Sequence, residues 1–69
     1  MTKNSIKKEM KKYQDLKLKT QELLNYISND NLPITLSDNM KAISIETHLQ
    51  MISLCQKCIE QLESTLDDL

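Results

Sequence analysis

Residues 45–69 read IETHLQMISLCQKCIEQLESTLDDL, and their apolar spacing decides the fold. Ile45, His48, Ile52, Cys55, Ile59, Leu62, Leu66 and Leu69 recur at alternating steps of three and four. That spacing lays one stripe along a helix, in the heptad pattern of helices that pack side by side. Of these eight positions His48 alone is strongly polar.

Upstream, Ser28-Asn29-Asp30-Asn31-Leu32-Pro33 breaks the helical pattern. Asn tolerates the left-handed conformation of a helix C-cap, so Asn29 or Asn31 is expected to serve where other chains use glycine. Pro33 keeps the residue before it out of the α region. Thr35 and Asp38 stand in capping-box spacing, while Ser37 and Asp38 are each N-cap candidates for a new helix.

Before the break, Ile6, Met10, Tyr13, Lys17, Thr20, Leu24 and Ile27 form a second heptad seam with two polar residues at its middle. Leu16 and Leu23 lie beside that seam and widen it. The expected order is a first helix over about residues 4–28, a turn over about 29–36 and a second helix over about 37–67. Long helices joined by a short connection lie antiparallel. The predicted fold is therefore all-α, an antiparallel two-helix hairpin of coiled-coil type forming one domain over residues 1–69 and completing its core by homo- or hetero-oligomerisation.

Composition agrees. The 69-residue chain has no Gly, Phe or Trp, one Pro, and 28% charged residues. Without glycine, tight hairpin turns and phosphate-cradling loops are hard to build, which disfavours sheets, barrels and nucleotide-binding folds. A chain this short supports a marginal core and commonly gains stability by association. Two cysteines do not make a secreted disulfide framework, Met1–Lys12 is charged and polar, and no apolar run is long enough for a membrane span. The expected location is the cytoplasm.

Charge is unevenly spread. Seven lysines against Glu9 and Asp15 give residues 1–19 a net +5, and two lysines against eight acids give residues 20–69 a net −6. In an antiparallel hairpin the basic start of the first helix lies beside Glu60, Glu63, Asp67 and Asp68. Exposed pairs contribute only about 0–1 kcal/mol each, so this attraction selects orientation more than it stabilises.

A second apolar row runs along the second helix: Leu36, Met40, Ile43, Thr47, Met51, Leu54 and Cys58. It is turned about 100° from the seam, so the apolar arc covers nearly half the helix. One neighbouring helix does not bury so wide an arc. Met40, Ile43, Thr47, Met51, Leu54 and Cys58, with Leu18 and Tyr26 as outliers on the first helix, are the expected partner-binding residues. Methionine suits such a surface because its thioether repacks around different shapes.

Chemistry is sparse. Cys55-Gln56-Lys57-Cys58 has redox-motif spacing, but it lies inside a helix, away from the helix N-terminus that would activate a thiol. His48 lies two turns, about 10 Å, from Cys55, too far to share one ion along a straight helix. Buried apolar packing is the expected role of both thiols. A seam histidine fits register control, with Thr20 or the region of Lys17 facing it, and would link association to a pH near ~6. No nucleophile, base and oxyanion site converge, so no enzyme, catalytic residue, metal, cofactor or small-molecule substrate is expected.

Two functions follow, beside a third reading as a bare homodimeric structural module with no further ligand. The first is a non-enzymatic adaptor, chaperone or regulator that buries a partner's amphipathic helix. Small helical co-chaperones of bacterial secretion systems share this architecture, a likeness of fold carried by no motif. The alternative is a homodimeric four-helix bundle that contacts RNA phosphates through Lys7, Lys8, Lys11 and Lys12, as a plasmid-borne RNA-binding hairpin of similar length does. Against nucleic acid stand the absence of Arg and of Phe or Trp for stacking, and a pI near 5.7. A membrane surface is not an expected partner, since the apolar seam is needed for folding.

Overall fold

The computed structural model describes residues 2–69 and contains two helices, α1 over Lys3–Ser28 and α2 over Asp38–Asp67, packed against each other along their length. They form a helical hairpin 48 Å long, 17 Å wide and 14 Å thick.

Local chemistry sets the ends. The Thr2 hydroxyl accepts the Ser5 amide at 3.2 Å and starts α1. Ser37 starts α2 by accepting the Met40 amide at 3.2 Å, so it prevails over Thr35 and Asp38 as the N-cap. Asp38 instead occupies the first turn, where a carboxylate favours the positive end of the helix dipole.

At the end of α1, the left-handed residue is neither Asn29 nor Asn31 but Asp30, with φ 56°. The Asp30 amide donates to the Ile27 carbonyl at 3.3 Å and the Asn31 amide to the Tyr26 carbonyl at 2.9 Å. Those two bonds are a Schellman closure, which places its left-handed residue one step beyond the C-cap, Asn29. Asp tolerates that region nearly as Asn does. Its carboxylate also accepts Lys41 Nζ at 2.8 Å, tying the turn to the first turn of α2.

Both predicted seams face inward. Ile6, Thr20 and Ile27 are buried on α1, and Cys55 and Ile59 on α2. The other seam residues are half-buried except Leu69, which is exposed. The core is a narrow line.

Its polar members bond mainly to their own helices. The Thr20 hydroxyl donates to the Leu16 carbonyl at 2.7 Å. His48 does not meet Thr20 or Lys17 as expected; its Nδ1–H donates to the Ser44 carbonyl at 2.6 Å. A carbonyl one turn back is always within reach of such a side chain, whereas a partner across the seam depends on register. Lys17 does cross, donating to Gln56 Oε1 at 2.7 Å. Among the described residues no buried side-chain nitrogen or oxygen lacks a partner.

Register follows from that bond. With Lys17 beside Gln56, the basic start of α1 lies along the acidic end of α2. The attraction nevertheless makes no contact pairs. Among the described residues the ion pairs are Lys12–Glu9, within α1, and Lys41–Asp30 at the turn.

Candidate interaction surface

Two long sides of the hairpin differ in chemistry. One holds an open groove of about 440 Å³ lined by Glu9 and Tyr13 of α1 and Leu54, Lys57, Cys58, Gln61 and Leu62 of α2. The other holds a groove lined by Gln14, Asp15, Lys17, Leu18 and Gln21 facing Gln56, Ile59 and Glu63.

The first side is apolar because of heptad arithmetic on both helices. Leu54 and Cys58 line its groove, and the row to which they belong continues toward the turn through Met51, Thr47, Ile43 and Met40. On α1, Leu16 and Leu23 follow Glu9 at intervals of seven, so they continue the stripe that Glu9 begins. Leu54 is 60% exposed and Met40 and Ile43 are each 57% exposed. Met51, Leu16 and Leu23 are exposed to a lesser degree, Thr47 is exposed and Cys58 is half-buried. Leu36, at the turn end of the row, is half-buried beside Ile27 and Leu32.

Six of the eight expected contact residues thus share one side. Leu18 does not: it lines the opposite, polar groove. Tyr26 stands about 60° around α1 from Leu23, on the outer flank of the apolar side. Leu16 and Leu23, read from sequence as widening the seam, are the α1 residues that extend the apolar side. Their signal was the Glu9–Leu16–Leu23 heptad, which lacks meaning until the facing side of α2 is known.

Thiols and charges fall into place around this surface. Cys55 is buried in the seam, Cys58 sits in the apolar groove, and both are free. Among the described residues no group of three or more His, Cys, Asp and Glu side chains could hold a metal ion. Lys7, Lys8, Lys11 and Lys12 are all exposed. Lys12 is held by Glu9 at 2.9 Å, and that hydrogen bond, with the attraction of the carboxylate, raises its pKa above the ordinary lysine value. No helix is long and apolar enough to cross a membrane among the described residues. No known protein family, curated protein or solved structure matches the chain.

Proposed function

We propose that this protein is a non-enzymatic interaction module of the cytoplasm, a small adaptor or chaperone-like hairpin whose apolar side buries an amphipathic helix of a partner protein. The observation that carries this reading is the continuous exposed row of Met40, Ile43, Thr47, Met51 and Leu54, flanked by Leu16 and Leu23 of α1. Covering a Leu, Ile or Met that is now half-exposed is worth roughly 1 kcal/mol. Several such residues in one row supply a binding surface that isolated exposed leucines do not. A helix in an apolar groove is a common recognition mode, read through anchors at three- and four-residue spacing.

Site-specific photocrosslinking in the protein's own cells tests this. A photoreactive residue replacing Leu54 is expected to link to a helical segment of another protein, and one replacing Leu18 is not. Capture should survive reversal of charge at Lys7, Lys8, Lys11 and Lys12 and vanish when Met51→Glu is added. Equal capture from both positions, or loss on lysine reversal alone, overturns the reading.

A further inference from the structure

The apolar row on α2 is spaced nearly alike in both directions. Taken about Leu49, Met40 pairs with Cys58, Thr47 with Met51, and Ile43 with Leu54 to within one residue. The first two pairings set a long side chain against a shorter one, and the third sets two branched aliphatics together. No charged residue interrupts the row. Across a two-fold axis every contact occurs twice, i on j and j on i. A row whose spacing is symmetric about its own middle therefore lines up with itself when reversed, with long side chains set against shorter ones.

We infer that a second copy of this chain covers the apolar side, with α2 lying antiparallel on α2 of the other copy and the two-fold axis at the level of Leu49. This rests on reading that side as an interaction surface and adds an occupant that must leave before a partner helix can dock.

Register within the hairpin selects this arrangement. Because Lys17 meets Gln56, Leu16 lies beside Lys57 and Leu23 beside Gln50. The α1 helix ends at Ser28, so it offers nothing beside Met40 and Ile43. If two copies stacked with their turns at the same end, α2 of one would lie on α1 of the other, and Met40 and Ile43 would meet the other copy's turn and no helix. Reversal sets α2 on α2 and covers the row from Met40 to Cys58. Leu49 lies within one turn of the midpoint of α2, so reversed copies overlap along most of their length. With the axis at Leu49, residues 38–60 of α2 overlap over about 35 Å, which at the 17 Å width gives at most on the order of 600 Å² on each copy, the low end of specific interfaces.

Met40→Cys tests the geometry with the native Cys58 as its reporter. Positions 40 and 58 are about 27 Å apart along one helix, so a disulfide between them joins two chains. Under oxidised glutathione the variant should form a covalent dimer, and peptide mapping should link the introduced thiol to Cys58. Leu49→Cys, on the far side of α2 from the row, should form no link at position 49. The unmodified chain should sediment at twice its mass at high concentration, and Leu54→Glu should return it to single mass with helicity unchanged by circular dichroism. A single-chain mass at high concentration, or a link joining position 40 to position 40, overturns the inference. If the chain is monomeric while the residue at position 54 still crosslinks to another protein's helix, the inference fails and the proposed function stands. If both tests fail, the surface reading fails with them.

Discussion

The two long sides of the hairpin are built on the same seam but handle water differently. On the polar side, Lys17 reaches across to Gln56 at 2.7 Å, and Gln56 donates to Glu60 at 3.2 Å. The stems of these side chains shelter the seam while their ends stay hydrated. On the other side the flanking positions are Leu16, Leu23, Ile43, Met51 and Leu54, which extend apolar surface instead of bridging it. One side is bridged by its own side chains, with Leu18 exposed beside the bridge, and the other leaves a row of apolar side chains open to water. Substituting polar for apolar flanks thus changes what a hairpin leaves exposed while its fold is unchanged.

Mutations beneath the two sides set the scale for this contrast. Ile6 is fully buried opposite the last turn of α2, and Ile6→Ala should cost about 2–5 kcal/mol, seen as a loss of cooperative thermal unfolding. A smaller loss would mean that the seam holds less of the stability than its burial implies. Gln56→Ala strips the cross-helix bond from the polar side and leaves the half-buried Lys17 ammonium without that acceptor, for about 1 kcal/mol in urea unfolding. An unchanged midpoint would show that this side is closed by packing alone.

The sharpest comparison swaps one leucine on each side for glutamate. Leu54→Glu and Leu18→Glu should each shift the stability of a single hairpin by no more than about 0.5 kcal/mol, since both positions are exposed. Only Leu54→Glu should abolish association, measured by sedimentation. Equal effects would erase the distinction between the sides. Smallest of all, Asp30→Asn keeps a residue that tolerates the left-handed turn and removes the tie to Lys41, an exposed-pair effect of about 0–1 kcal/mol that high salt should mask.

Sequence spacing revealed the two helices, their facing seams and the extra row on α2, because burial and three–four periodicity are linked by helix geometry. It did not reveal how polar seam residues are satisfied. His48 and Thr20 turn back to carbonyls at Ser44 and Leu16, bonds available at any helical position and hence invisible as pattern. The left-handed residue is Asp30 and not Asn29 or Asn31, because Asp tolerates that conformation nearly as Asn does and the closing bonds select the middle position. Leu16, Leu18 and Leu23 are alike in composition. Which side each joins is decided by the rotation of α1 against α2, a tertiary fact that no single stripe encodes.

The Asp30 turn bears on recognition. The backbone at this corner is held in its left-handed well by two amide bonds and clasped by Lys41, in a chain that contains no glycine. Of these ties only the Lys41–Asp30 pair joins the two rods, and their parting is resisted mainly by the buried seam of Ile6, Thr20, Ile27, Cys55 and Ile59. On the proposed function the molecule accordingly meets its partner as a stiff plank, shaped beforehand. Little chain freedom remains to be surrendered on contact, so even a shallow, greasy face can hold its occupant firmly.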